Sequence, residues 1–138
     1  MNTAEAFEML RSVDLPAGDY AVFGSGPLLV RGIIDQAHDI DVIARGEAWT
    51  QALEQGELTY LPEEDITVAA FFDGDLSVGT TWAFGDVDIN DLIDTAELFE
   101  GVPFVLIEHV IAYKRVAARD KDQDHLQRIA EWMQTRPL

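Results

Sequence analysis

Cysteine is absent from the 138-residue sequence, and basic residues are scarce, with 9 Lys and Arg against 26 Asp and Glu. Without cysteine there are no disulfides and no thiol chemistry, and the lack of a targeting signal favours a cytoplasmic location. No apolar run approaches the ~18 residues of a membrane span. The N-terminus, MNTAEAFEML, has neither the basic start nor the apolar block of a signal peptide. We therefore expect no membrane partner.

The few basic residues are unevenly placed. Residues 1–113 carry 3 Lys or Arg against 22 Asp or Glu, whereas residues 114–138 carry 6 against 4. An acidic body repels a nucleic-acid backbone, so general DNA binding is not expected, and most of these acids should form a solvated surface. The apolar content of 48% is typical of a globular protein, and the length predicts one domain over residues 1–138.

Hydrophobic periodicity predicts alternating helices and strands. Apolar residues at helical spacing indicate helices, the first capped by Thr3, at residues 3–13, 25–33, 46–56, 90–98, 107–118 and 121–135. Short apolar runs indicate strands at residues 20–23, 39–44, 66–72, 75–84 and 104–107. Residues 57–65 are predicted as an acidic loop, and Asp73-Gly74 as a hairpin turn. This order predicts an α/β (α+β) fold in which helices flank a mixed sheet and two helices close the chain.

The stretch 20–44 contains the clearest chemical pattern. A strand leads into the turn Gly24-Ser25-Gly26, a short helix follows, and Asp39 and Asp41 open the next strand. Residues i and i+2 of a strand share a face, so the two carboxylates should point the same way. A helix start offers free N–H groups to an anion, and paired carboxylates hold a hard divalent cation. The stretch therefore predicts adjacent phosphate and metal sites, and chemistry on a nucleotide.

Each half of this pattern has an alternative explanation. Short glycine turns join many strands to helices, and this one lacks both the G-x-G-x-x-G of a dinucleotide-binding fold and the Gly-Lys-Ser/Thr of a P-loop. The two acids could also lie exposed on a surface strand. However, like charges on one face repel unless something positive lies between them, and the strand is otherwise apolar. We therefore favour Mg²⁺ or Mn²⁺ bound by Asp39 and Asp41.

Lys114 falls on the inner face of the predicted helix 107–118. The apolar stripe that includes its position has steps of three and four residues and consists of Ile107, Val110, Ile111 and Ala118. A buried ammonium is costly without a partner, so Lys114 should meet carboxylates or a phosphate. Alternatively, it extends to the surface or pairs with the acids purely for stability. Asp122 can cap the last helix and pair with Lys114 or Arg119.

Together these residues resemble the minimal nucleotidyltransferase fold of the DNA polymerase beta superfamily. The resemblance covers about residues 20–133 and is most specific in the segments GSGPLLVRGI, HDIDV and AYKRVAARDKDQDHL. The likeness is to small stand-alone bacterial members, some of them linked to toxin–antitoxin systems. It implies a mixed sheet flanked by helices, and transfer of a nucleoside monophosphate from an NTP such as ATP to a hydroxyl, with two metal ions.

The resemblance also implies roles for individual residues. Gly24 and Ser25 match the phosphate-binding turn, and the acid pair matches the metal ligands. By their charge rather than by the resemblance, Lys114 or Arg31 is expected to neutralise the bound nucleotide.

One departure from the family pattern concerns its third carboxylate, which lies on a later strand within a hydrophobic–acid–hydrophobic triplet. The triplet that fits best is Leu76-Ser77-Val78, where serine replaces the acid. Asp75 shares a face with Ser77 by strand alternation and is the expected third catalytic acid, displaced by roughly 6–7 Å along the strand. Val87-Asp88-Ile89 fits the triplet too, although aspartate at a helix start is commonly a cap.

Three functions therefore remain open. The first is a nucleotidyltransferase acting on a protein or RNA acceptor. The second is a degenerate member that binds a nucleotide or a protein partner, in the manner of an antitoxin, because transfer without a third acid would be impaired while nucleotide binding survives. The third is a structural domain whose acid pair is solvated.

Overall fold

The computed structural model describes residues 1–81 and 88–136. Its seven strands are β1 (Tyr20–Phe23), β2 (Ile40–Ala44), β3 (Glu57–Leu61), β4 (Ile66–Phe71), β5 (Leu76–Gly79), β6 (Glu97–Phe99) and β7 (Val102–Phe104). Its six helices are α1 (Thr3–Val13), α2 (Gly26–Val30), α3 (Gly46–Gln55), α4 (Ile89–Asp94), α5 (Ile107–Ala117) and α6 (Asp120–Thr135).

The strands form one mixed sheet in the order β3-β4-β5-β2-β1-β7-β6. The pairs β1–β7 and β2–β5 are parallel, and the other four neighbouring pairs are antiparallel. The central strands β1 and β2 are almost fully buried, which matches their apolar sequences YAVF and IDVIA. The α/β fold with a mixed sheet and two closing helices, as predicted from the sequence, is confirmed.

Helix α1 is held by a different cap from the predicted one. The Asn2 side chain accepts a hydrogen bond from the Glu5 backbone N–H at 2.9 Å, and the Glu5 carboxylate accepts one from the Asn2 N–H at 3.0 Å. This reciprocal pair satisfies two N–H groups at the helix start. The predicted cap, Thr3, instead donates its hydroxyl proton to the Leu29 carbonyl at 3.2 Å and so connects α1 to the end of α2.

Several predicted boundaries were wrong. Half of the predicted acidic loop is strand β3, and α2 ends at Val30 rather than at residue 33. The end of the predicted helix 90–98 belongs to strand β6, which pairs with β7. Strand β7 begins at Val102, two residues before the start of the predicted strand 104–107. Strand β5 ends at Gly79, and the remainder of the predicted strand 75–84 lies partly outside the described residues, as does Val87 of the second triplet.

No helix within residues 1–81 and 88–136 has both the length and the apolar character needed to cross a membrane.

Candidate functional site

One row of side chains crosses five strands and forms the floor of a cleft. Directly opposed residues of neighbouring strands share a face. The register places in this row, from β1 through β2, β5 and β4 to β3, Phe23, Asp41, Ser77, Ala70 and Glu57. All except Phe23 line the cleft. The sheet therefore brings Asp41 beside Ser77, one strand spacing of ~4.8 Å away.

The cleft has a volume of about 540 Å³. This size lies within the roughly 300–1,000 Å³ typical of small-molecule sites. Its acidic lining residues are Asp39, Asp41, Glu57, Glu64 and Asp73, and its basic ones are Lys114, Arg119 and Lys121. All three basic residues come from the end of α5 and the start of α6, whereas the acids come from the sheet and its turns. A ligand that carries separate positive and negative groups would match both sets.

Gly24 brings the turn after β1 into close contact with Asp41. A β-carbon at position 24 would lie 2.7 Å from the Asp41 Oδ2 atom, closer than real side chains allow, and the residue has φ +68°. A positive φ is a conformation that glycine adopts without strain. Both observations mean that this turn needs glycine at position 24 in order to keep the Asp41 carboxylate where it is.

Asp41 is half-buried, and its pKa is raised to about 7. The main cause is burial, which penalises the charged carboxylate, and the second is the nearby charge of Asp39. Lys121, Arg119 and Lys114 oppose this rise, because their positive charges favour the ionised form. The three basic residues therefore do not fully compensate the negative charge of Asp39 and Asp41. A bound cation would reduce the repulsion between the two carboxylates.

The Lys114 ammonium is enclosed beside the cleft, with its side chain only 1% exposed. It donates to the Asp122 Oδ1 atom at 3.2 Å, and Asp122 is itself 0% exposed. Burial lowers the pKa of Lys114, and the Asp122 charge opposes that change. In the structure, Lys114 thus points inwards and pairs with Asp122, as predicted from the sequence.

Asp122 also connects to Arg119. Its Oδ2 atom accepts from the Arg119 backbone N–H at 3.1 Å and from Nε at 2.6 Å, and its Oδ1 atom accepts from Nη2 at 3.2 Å. Asp122 therefore caps the start of α6 while holding two cations, both of which line the cleft. Arg119 also hydrogen-bonds the Tyr113 hydroxyl, and the Tyr113 ring meets Phe23 edge-on at 4.6 Å. This contact packs α5 onto the row of side chains from the sheet.

Two of the predicted site residues lie elsewhere. The Arg31 guanidinium donates to the Pro27 carbonyl at 2.9 Å and to Glu97 at 3.0 Å, and it lies 5.0 Å from the centre of the Phe99 ring. Arg31 is not among the residues that line the cleft, and its guanidinium is engaged by these groups instead.

Asp75 is likewise absent from the cleft lining, where Asp73 and Gly74 are found instead. Residues Phe72–Gly74 form a turn of 3-10 helix, and Asp75 has helical dihedral angles, φ −66° and ψ −24°. The strand alternation that would have aligned Asp75 with Ser77 does not extend back to this residue. Asp88 caps α4 by accepting from the backbone N–H groups of Asn90 and Asp91.

The sequence did not point to the part of the cleft formed by the β3–β4 hairpin. Glu57, Thr59 and Leu61 line it from β3, and Glu64 lines it from the following turn. The alternation of Glu57, Thr59 and Leu61 was the available signal, because these residues occupy one face of a strand. The stretch was predicted as a loop on account of its acids.

The donor set suits one kind of metal. Within the described residues, no three His, Cys, Asp or Glu side chains come together as metal ligands. Glu57 lies three strands from Asp41, or ~14 Å, which is too far to share an ion with it. Two carboxylates beside a hydroxyl fit Mg²⁺, which binds through one or two carboxylates and completes its shell with water and substrate phosphate.

The fold is similar to that of a solved structure. A Thermotoga maritima protein, provisionally named a nucleotidyltransferase, matches over 99% of this chain and 97% of its own, with a TM-score of 0.57 and 17% sequence identity. No protein-family model matches the sequence. No curated protein matches it at a significant level. The structural likeness extends over the sheet and the helices that form the cleft, and the chain has the nucleotidyltransferase fold.

Proposed function

We propose that the protein is a metal-dependent nucleotidyltransferase that moves a nucleoside monophosphate from an NTP, with ATP as the first candidate, to a hydroxyl on a protein or RNA. The observation that carries this proposal is the placement of Asp39 and Asp41 beside the Gly24 turn, in one cleft with Lys114, Arg119 and Lys121. The nucleotidyltransferase fold supports it.

The proposed binding roles follow from charge. Asp39 and Asp41 hold Mg²⁺ or Mn²⁺, and the Gly24-Ser25 turn holds the terminal phosphates. The Ser25 side chain makes no capping hydrogen bond to α2, which leaves its hydroxyl for a ligand. Lys114 has three N–H donors and one hydrogen bond within the described residues, so it has donors left for a phosphate oxygen.

The proposed reaction forms one bond and breaks another at the α-phosphorus. The acceptor hydroxyl oxygen bonds to this phosphorus and releases its proton to water, while the bond from the α-phosphorus to the bridging oxygen breaks and pyrophosphate leaves. The metal supplies charge stabilisation to the phosphate oxygens when bound. The protein contributes alignment, because the turn, the acids and the cations fix the triphosphate against the row of side chains on the sheet.

Calorimetry with Mg²⁺ and ATP tests the site. We expect the double variant Asp39→Ala, Asp41→Ala to bind at least tenfold more weakly than the wild type, because the metal that links the phosphates to the sheet loses its carboxylates. The double variant Asp35→Ala, Glu54→Ala serves as the matched control, since it removes two exposed carboxylates outside the cleft, and should bind as the wild type does. Unchanged binding by the double variant would refute the site.

A second candidate, a degenerate member that binds without catalysis, is favoured by Ser77. This serine stands beside Asp41 where the family pattern has an acid. A protein partner in the manner of a toxin–antitoxin pair would then be the target of binding.

Restoring the acid separates the two candidates. If the missing carboxylate limits catalysis, Ser77→Asp should raise transfer of labelled AMP to an acceptor at least tenfold, because a third carboxylate would then stand on the strand next to Asp41, one spacing of ~4.8 Å away. Ser77→Asn, which adds the same bulk without charge, is the control. Equal rates in Ser77→Asp and the wild type, both well above Ser77→Asn, would show that the serine enzyme is already competent.

A further inference from the structure

Strand β3 forms one edge of the sheet, and its outer side is open. It pairs only with β4 among residues 1–81 and 88–136. Edge strands are commonly protected by lysine, proline or a bulge, because their free N–H and C=O groups invite pairing with another chain. The sequence of β3, ELTYL, contains neither lysine nor proline, and it pairs with β4 residue by residue along its whole length without a bulge.

The same strand exposes large apolar side chains. Leu58 and Tyr60 are 58% and 56% exposed, and both belong to the face of β3 opposite the cleft. The other face contributes Glu57, Thr59 and Leu61 to the cleft. A strand added to this edge would therefore find apolar contacts on one face and the rim of the cleft on the other.

The charge of this region indicates what could bind there. Residues 46–113 contain 15 Asp or Glu and no Lys or Arg. The cleft acids Glu57, Glu64 and Asp73 form no ion pair within the described residues. A nucleic-acid backbone would be repelled by such a surface. A second copy of this chain, with its net charge of −17, would be repelled as well.

We propose that the open edge of β3 binds an extended, basic polypeptide segment by strand addition. Main-chain hydrogen bonds to β3 supply the binding, and alternate basic side chains lie towards the cleft acids. The docked segment runs along the rim of the cleft, so under the proposed function the edge selects a protein acceptor. Docking itself does not rest on that function, because it requires only β3 and its charges.

The spacing of the sheet limits where the acceptor hydroxyl sits. An added strand lies four strand spacings from β2, or ~19 Å. At ~3.3 Å per residue, this distance corresponds to about five to six extended residues. The acceptor side chain therefore belongs to the chain that follows or precedes the docked segment, and turns from the edge into the cleft.

Fluorescence anisotropy with a defined peptide tests this docking. The probe is a labelled ten-residue peptide in which lysine alternates with valine or threonine. We expect it to bind the wild type and to bind Leu58→Lys at least tenfold more weakly. Leu98→Lys, which adds the same charge on the opposite edge strand β6, where Leu98 is 71% exposed, should bind within twofold of the wild type. Bound peptide should slow hydrogen exchange of the amides at residues 57–61.

A second probe separates strand pairing from charge attraction. The same peptide with N-methyl groups on alternate backbone nitrogens keeps its charge but cannot donate hydrogen bonds along the edge that faces β3. We expect it to bind at least tenfold more weakly. Equal binding of the two peptides, no binding of either, or equal losses in both lysine variants would overturn the proposal. So would binding of a ten-nucleotide RNA in place of the peptide, or a dimer that Leu58→Lys dissociates.

The docking and the proposed function fail separately. The double variant Asp39→Ala, Asp41→Ala should bind the peptide as the wild type does. Peptide binding without nucleotide binding would leave the docking intact and refute the transferase. Nucleotide binding without peptide binding would refute the docking and leave the proposed function intact.

Discussion

Replacing Asp122 by asparagine is expected to lower the free energy of unfolding by about 3–5 kcal/mol, the usual cost of removing one partner of a buried ion pair. The cost arises because Lys114, only 1% exposed, would keep its ammonium in the interior without a counter-charge. For a chain of this length, the expected fall in Tm is roughly 10–20 °C. Thermal unfolding of the purified variants at pH 7 measures it.

The pair should respond asymmetrically. Lys114→Met should cost less than Asp122→Asn, because Arg119 continues to satisfy Asp122 through its Nε, at 2.6 Å, and its backbone N–H. The variant that combines Lys114→Met with Asp122→Asn should be more stable than Asp122→Asn alone, because it has no unpaired ammonium in the interior. Asp124→Asn removes an exposed acid from the same helix and should change the stability by no more than about 0.5 kcal/mol. Similar losses in the variants of Asp122 and Asp124 would contradict the buried pairing.

Asp41→Asn is expected to make the ligand-free protein more stable at pH 8, by up to about 4 kcal/mol. The pKa of Asp41 is about 7 in the folded state, above its ordinary value of 3.8, so the folded protein binds this proton more tightly than the unfolded chain. The resulting stability is fully present below pH 3.8 and is lost as the pH rises through about 7. Asparagine has no proton to lose and escapes that loss.

Urea unfolding between pH 5 and pH 8.5 measures this effect. The advantage of Asp41→Asn over the wild type should be less than half as large at pH 5 as at pH 8, and should level off above about pH 7. Asp35→Asn makes the same change in net charge at an exposed position and should leave the pH profile as it is. Parallel profiles for Asp41→Asn and the wild type would mean that the carboxylate is not destabilised. A gain in stability together with lost nucleotide binding would show that the acid pair is maintained for function.

The parts of the site that sequence reasoning could predict depend on local periodicity. Asp39 and Asp41 share a face because they are two residues apart, and Lys114 points inwards because it lies on a helical stripe. Both patterns follow from the repeat of a single element. Neither pattern required knowledge of which elements are neighbours. The partner of Lys114, Asp122, could also be predicted, because it lies on the next helix along the chain.

The missed parts depend on how elements meet. Glu57 reaches the cleft because β4 brings β3 alongside β5, a pairing that no local pattern contains. Arg31 was assigned to the nucleotide by its charge, but its guanidinium bonds to Glu97 of β6, a strand that had been predicted as helix. Asp75 was placed by strand alternation, which the 3-10 turn at Phe72–Gly74 interrupts.

The two sides of the cleft come from separate stretches of the chain, which sets the order in which a ribosome produces them. The cleft acids, the glycine turn and Ser77 all belong to residues 24–77, whereas the three cations belong to residues 114–121. Domains are synthesised from the N-terminus, so the acid-bearing sheet emerges before its counter-charges exist. Until α5 and α6 emerge, the nascent chain has these acids without the cations that face them in the folded cleft.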